Sequence, residues 1–190
     1  MPGTMELRPG QVGLFGYGSL LLLSSMEETL GRRYVGERYM CRIPGWRRTW
    51  DAVYPNQRYY FLNRKNEREY PKGIVYLNVT PGQGVLNGVV YAIAVEDLAE
   101  FDEREKVYDR VDVRTRLIDL KVDGGPVWMY VATPGCVLDS TVTTAEAAVR
   151  RQYVNIVEAG LQELGPEFRA DYLLSTEPVP EDRIVNDLAD

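Results

Sequence analysis

The chain has 190 residues, 45% of them hydrophobic and 26% charged, with a formal net charge of -6. That length suits one well-buried domain, and the negative balance argues against nucleic acid as a bulk partner, because phosphate binding needs a positive field. No apolar run approaches the length of a membrane span, and "MPGTMELRPGQ" lacks the basic region and apolar core of a signal peptide, so it reads as a loose lead-in to a cytoplasmic protein.

Taken in chain order, "QVGLFGY" reads as a first strand ending in Gly16-Tyr17-Gly18-Ser19. Ser25 to Glu28 has the spacing of a capping box, which predicts a short helix to Leu30 closed by Gly31. "RYMCRIPGWRRTWDAVY" predicts two short strands, or one strand broken at Pro44-Gly45. Arg42, Arg47 and Arg48 within it are expected to be solvated strand residues, with a small-anion patch as the alternative. "RYYFLN" and "GIVYLNV" are strand candidates, "TPGQGVLNG" a turn or loop, and "GVVYAIAV" a strand buried on both faces.

"EDLAEFDEREKVYDR" predicts a short helix and a turn. "VDVRTRLIDLKV" alternates like a strand, with Val111, Val113 and Thr115 on one face, and Asp123-Gly124-Gly125 then predicts a hairpin into "VWMYVAT". Thr143 to Glu146 is a second capping box. The helix it opens would turn Val149, Tyr153, Ile156, Val157, Leu161 and Leu164 toward the core. Gly165-Pro166 ends that helix, and Pro166 starts another through Phe168, Tyr172 and Leu173. Strands first and helices last predict an α+β class: a mixed, partly closed, barrel-like sheet flanked by helices. The expected organisation is a single domain over 1–190, its core at about 12–174, with a flexible lead over 1–10 and an acidic, peripheral tail over 178–190.

The chain has no histidine, which removes Ser-His-Asp and Cys-His catalysis and the commonest transition-metal ligand. An enzyme built from it must move protons with a carboxylate, tyrosine or lysine. Cys41 and Cys136 lie too far apart for a metal-ligand spacing and are expected to be reduced structural thiols. Asn78-Val79-Thr80 matches a glycosylation acceptor, which matters only on export.

Two segments carry candidate chemistry. "GYGSL" follows a strand and precedes a helix, where successive N–H groups can form an anion-binding nest. Leu20-Leu21 stands where a phosphate loop needs Lys-Ser or Lys-Thr, and Leu21 where a dinucleotide fingerprint needs its third glycine, so both readings fail. A carboxylate cradle and a plain glycine turn remain. "FDEREKVYDR" sets Asp102, Glu103 and Glu105 close together, either as solvated helix surface or with one carboxylate dipping into a cleft as an acid–base group.

In combination, "FGYGSL" and "FDEREKVYDRVDV" resemble the two signatures of the gamma-glutamylcyclotransferase family. These are a Tyr-Gly-Ser loop after the first strand and a Leu-Asp-x-x-Glu-Gly-like segment followed by tyrosine. "IPGWRRTW", "LNGVVYAI" and "QYVNIVEAGLQELGPEFRADYL" look like family elements in family order, so the resemblance covers roughly Val12 to Leu174. It implies Glu105 as the catalytic glutamate. It implies Gly16, Tyr17, Gly18, Ser19 and Leu20 as the loop that binds the glutamyl head group, and Tyr130 as a pocket tyrosine. Tyr108 and Tyr153 fall on pocket wall or core. Phe101 replaces the usual leucine, and Lys106 replaces the glycine after the glutamate, where it could reshape the mouth of the site.

The implied reaction is internal. The α-amine of a γ-glutamyl compound attacks its own γ-carbonyl, closing 5-oxoproline and releasing an amine or amino acid. It calls for no cofactor and no metal, and for one carboxylate to take and return a proton. The partner is then a small γ-glutamyl molecule, with no nucleic acid and no membrane, on a monomer or homodimer. The resemblance leaves the leaving group open, with Asn56 to Arg58 and Gly82 to Asn87 as loops that could set it. The competing class is a non-catalytic member of the same fold that binds a small carboxylate.

Overall fold

The computed structural model describes residues 3–139, 143 and 146–189. In chain order the strands are β1 (Gly3–Glu6), β2 (Gln11–Gly16), β3 (Arg38–Pro55), β4 (Tyr59–Leu62), β5 (Arg68–Glu69), β6 (Gly73–Ala94), β7 (Tyr108–Asp112), β8 (Leu120–Asp123), β9 (Val127–Ala132), β10 (Ala147–Arg150), β11 (Ile184–Val185) and β12 (Leu188–Ala189). The α-helices are α1 (Leu23–Leu30), α2 (Leu98–Arg104), α3 (Arg151–Leu164) and α4 (Pro166–Leu174). The central sheet runs β11-β10-β6-β2-β9-β7, with β3 also paired to β6. It is mixed: β2 pairs β9 and β10 pairs β6 in parallel, while β2–β6, β3–β6 and β7–β9 are antiparallel. The expected α+β class with a mixed sheet and flanking helices is what forms.

The frame is the long ribbon of β3 and β6, paired from Arg38↔Tyr91 to Pro55↔Gly73 with register shifts between Pro44 and Trp46 and between Thr49 and Ala52. It corrects two expectations. "RYMCRIPGWRRTWDAVY" is one strand with bulges. "TPGQGVLNG" is no loop but the middle of β6, because Pro81 and Val85 pair with Trp46 and Pro44 across the first bulge. Proline survives in a ladder at such a bulge, where the missing N–H is not needed. The expected burial of the next segment holds at Val89, Val90 and Tyr91, all fully buried.

The alternation over Val111 to Val122 misleads. Asp112 accepts the N–H groups of Arg114 and Val127 through Oδ1, and a single helical turn at Arg114–Arg116 breaks the run into β7 and β8. Asp123-Gly124-Gly125 closes no hairpin. It carries the chain from β8, which pairs β1, to β9, which pairs β2 and β7.

Both capping boxes are also displaced. α1 starts at Leu23 and ends at Gly31 as expected, but Ser25 lies inside it, buried, with its Oγ taken by Arg104. At the second box, Thr143 N–H and Oγ1 each meet the Glu146 carboxylate at 3.1 Å, while Thr144 and Ala145 lie outside the described residues. The chain then enters β10, whose Ala147 to Val149 pair with Gly73 to Val75, and the helix waits until Arg151. Val149 is therefore a strand residue, while Tyr153, Val157 and Leu161 are the buried face of α3. Burial in a central sheet outweighs a local cap worth about 1 kcal/mol.

The described residues near both ends are paired into sheets rather than loose or peripheral. β1 pairs β8 and buries Met5, followed by a buried Leu7. The acidic tail supplies β11 beside β10 and β12 beside β4, and buries Val185.

Candidate functional site

β2 carries fully buried Leu14 and Phe15 to the middle of the molecule and stops at Gly16. A Cβ on Gly16 would stand 2.8 Å from Leu20 Cβ, so only glycine lets the chain fold back here. The loop then turns through Tyr17 and Gly18 into a single helical turn at Ser19–Leu21. Leu21 N–H and Leu22 N–H donate back to Gly18 O and Ser19 O at 3.0 and 3.3 Å. The N–H groups of Ser19 and Leu20, which open the turn, have no partner within it. Gly18 lies against α3, where a Cβ would come 3.0 Å from Tyr153 Oη.

Behind the loop sits Arg48, which sequence reasoning had placed among solvated strand residues. It is 0% exposed, while Arg42 and Arg47 are exposed and ion-paired to Asp119 and Glu177. The difference follows from the ribbon: alternation turns Arg48 inward, between β6 and α4. Its Nε donates to Tyr17 O at 2.7 Å. Its Nη1 donates to Ser175 Oγ at 2.9 Å, its Nη2 donates to both Asn87 oxygens, and its plane lies 4.1 Å from the Tyr172 ring centre. Burial lowers the guanidinium to about 10, which leaves it charged at neutral pH. In a trans peptide, a C=O and the following N–H point opposite ways. The bond to Tyr17 O therefore aims Gly18 N–H away from Arg48, and Gly18 itself lines the pocket in front.

That pocket is small, about 30 Å³, and lined by Phe15, the Gly16–Leu20 loop, Leu77, Glu105, Tyr108, Tyr130 and Tyr153. Every sequence-nominated residue is thus on one wall or another. α2 is anchored by Leu98 and by Phe101, which fills the core in place of the usual leucine and is fully buried. Glu105 follows at its C-terminal end, with its N–H on Phe101 O at 2.8 Å and its C=O accepting Tyr108 N–H at 2.9 Å. Its side chain is 17% exposed. Burial raises the Glu105 carboxyl above the ordinary range, opposed by the charge of Arg104.

The tyrosines are tied down by their hydroxyls. Tyr17 donates to Tyr130 O at 2.8 Å, Tyr130 to Asp102 Oδ1 at 2.7 Å, and Tyr108 to Leu77 O at 2.8 Å. Burial raises Tyr17, Tyr108, Tyr130 and Tyr153 well above the usual tyrosine range, and Glu105 pushes each of the four further up. All four are therefore neutral around a lone carboxylate.

Sequence reasoning missed Arg104. Its Nε lies 3.2 Å from Glu105 Oε1. Its Nη2 donates to Ser19 Oγ at 2.7 Å and to Ser25 Oγ at 3.1 Å, and its Nη1 donates to Ser25 O at 3.0 Å and to Thr29 Oγ1. The available signal was its place beside the glutamate, hidden inside an acidic run. Lys106, expected to reshape the mouth, pairs instead with Glu103 and lines neither cavity.

A wider groove of about 710 Å³ adjoins the pocket and shares Ser19, Glu105, Tyr108 and Tyr153 with it. Asn56, Gln57 and Arg58 lie on its wall, while the Gly82 to Asn87 segment lines neither cavity. Arg150, on the far wall, is held by Asp187 at 2.8 Å and stacks 3.6 Å from the Tyr59 ring centre. Among the described residues, no three His, Cys, Asp or Glu side chains group as metal ligands. Both cysteines are free, and burial pushes the Cys41 thiol up to about 12. Asn78 is 1% exposed and bonded to Asp51 and Ala132, so its glycosylation pattern is buried.

The mixed α+β fold thus brings the loop that follows β2 and the largely buried Glu105 to one small pocket. The sequence matches the family described as "Gamma-glutamyl cyclotransferase, AIG2-like" over residues 14–150, most of the chain, and the chain belongs to that family. Comparison with curated protein sequences gives no match. Among solved structures, similarity in fold extends to an uncharacterized human protein at 17% identity, 90% of each chain and a TM-score of 0.58. A structure titled gamma-glutamyl cyclotransferase gives 15% identity, 90% of each chain and 0.58. A yeast gamma-glutamyl cyclotransferase specific to glutathione gives 12% identity, 87% of this chain, 96% of that one and 0.50. Among the described residues, no helix is long and apolar enough to cross a membrane.

Proposed function

We propose that this protein cyclises the γ-glutamyl group of a γ-glutamyl amino acid, amine or peptide to 5-oxoproline, releasing the amine. The observation that carries this reading is the convergence of Glu105 and the Tyr17–Leu20 loop on one pocket. The pocket's 30 Å³ suits a head group such as a carboxylate, with the rest of the ligand in the groove. The loop N–H groups would grip the substrate α-carboxylate or the oxyanion forming on the γ-carbonyl. Glu105 would take a proton from the α-ammonium group. The freed amine then attacks the γ-carbonyl carbon and a C–N bond forms. Glu105 returns its proton to the leaving nitrogen as the old amide C–N bond breaks, and the surplus proton on the ring nitrogen passes to the released amine, which departs as ammonium.

A raised carboxyl suits that exchange better than an ordinary one, because a general acid–base works best near the operating pH. Folding the glutamyl chain into the attacking geometry supplies much of the rest of the rate. The chemistry asks for no water, metal or cofactor, which fits a chain without histidine. The groove would hold the leaving group, with the Asn56–Arg58 wall setting its size.

The test is 5-oxoproline release, followed by mass spectrometry over a panel of γ-glutamyl amino acids, γ-glutamyl amines and glutathione. Wild-type protein should release it from at least one substrate, and Glu105→Gln should lose about 10²–10⁴-fold in rate while remaining folded. Undiminished turnover in that variant would sink the assignment. Binding of a γ-glutamyl compound without turnover by the wild type would favour the carboxylate-binding alternative.

A further inference from the structure

Arg104 touches the glutamate, the loop and α1 together. Four of its polar contacts are to Ser19, Ser25 and Thr29, and the fifth is Nε against Glu105 Oε1 at 3.2 Å. Its side chain is 27% exposed and lines the groove where the groove adjoins the pocket. A guanidinium presents donors in a rigid planar fork, and here both ends of that fork are fixed by α1 and the loop. The remaining donor, Nε, then has a set direction. The backbone bonds of Glu105 at the end of α2 fix its Cα but not the direction of its carboxylate.

We propose that Arg104 is the positioning residue of this site, holding the Glu105 carboxylate and the Ser19 end of the loop in one frame. The proposal rests on the cyclisation reading above. Among the described residues, Arg104 is the cation set against Glu105. The groups facing it from β2, β6, β7, β9 and α3 are the neutral Tyr17, Tyr76, Tyr108, Tyr130 and Tyr153. The remaining charges of the groove are engaged or peripheral. Arg150 is bound to Asp187 and Glu103 to Lys106, while Glu28, Glu100 and Arg58 stand exposed on the walls.

Losing the guanidinium would therefore both free the carboxylate and remove the one charge that opposes its raised protonation. In Arg104→Met, Glu105 should hold its proton to higher pH, so the acid limb of kcat/KM moves up. The rate at its optimum should fall by roughly a hundredfold through misplacement. Arg104→Lys, which keeps the charge but not the fork, should return the acid limb toward wild type while recovering only part of the rate.

The experiment pairs those profiles with a direct titration of the Glu105 carboxyl by carbon NMR in the wild type, Arg104→Met and Arg104→Lys. An upward move in Arg104→Met, reversed in Arg104→Lys, is the expected result. An unmoved Glu105 titration in a folded Arg104→Met overturns the proposal whatever the rates do. If the titration moves as expected but the wild type makes no 5-oxoproline from any substrate, the cyclisation reading has failed and the hold of Arg104 on Glu105 stands. If the wild type and both variants titrate and turn over alike, Arg104 is structural only and the proposal is wrong.

Discussion

The two arginines that grip the Tyr17–Leu20 loop make an instructive pair. Arg48 holds it from behind, fully buried, bonded to carbonyls, hydroxyls and an aromatic face. Arg104 holds it from the front, at a rim, beside a carboxylate. A buried charge satisfied only by neutral acceptors has one geometry in which all its donors are used, so it fixes backbone. A charge beside a titratable group changes that group's protonation instead. The same residue type thus shapes the cradle on one side and its chemistry on the other.

Four further changes would break or sharpen that contrast. The largest effect should come from Arg48→Met, which strands the carbonyls of Tyr17 and Asn87 at about 1–3 kcal/mol each. Urea or thermal unfolding should show a loss of several kcal/mol, and a melt within error of wild type would mean that the back of the loop is not held as described. Ser19→Ala cuts only the front tie, the 2.7 Å bond from Arg104. Its expected effect is about a fivefold rise in KM, from ~1 kcal/mol of lost hydrogen bonding, with little change in the melt.

Glu105→Gln should be slightly more stable than wild type at neutral pH. The folded carboxyl binds its proton more tightly than the unfolded one, so stability falls as pH rises through the window between the two. Glutamine escapes that fall, and the advantage should vanish in acid below the ordinary carboxylate range. Melting curves across pH check this, and a glutamine variant less stable at pH 7 would contradict the burial argument. The smallest effect is expected from Arg32→Ala, whose 55%-exposed side chain pairs with Asp97 at 2.6 Å and lines neither cavity. Turnover should not change, and the melt should fall only slightly, because a pair with one solvated partner contributes little.

The loop and its glutamate were legible because their chemistry is local. Gly16 to Leu20 and Glu105 are recognisable from their own neighbours, and the fold brings them to one pocket. What failed was whatever depends on partners distant in sequence. Pro81 to Asn87 carries turn residues, yet it runs opposite Arg42 to Trp46 as part of β6. Thr143 and Glu146 make their local bonds and still open a strand, because Gly73 to Val75 supply a ladder. Arg48 has the composition of surface, and only the register of β3 against β6 turns it inward. Arg104 stands amid acidic neighbours and drew no reading of its own, because its serine partners are about 80 residues upstream.

The acidic tail has a practical consequence. Asp187 lies between β11 and β12, its side chain 4% exposed, and its Oδ2 receives Arg150 Nε while its Oδ1 receives Gln152 N–H. Arg150 in turn lines the groove and stacks on Tyr59. Trimming the last residues to tidy a charged terminus, or burdening them with a purification handle, would therefore release an arginine into the cavity proposed for the departing amine. Substrate preferences measured on such shortened protein would describe the truncation, so the panel is best run with the tail intact and any handle placed elsewhere.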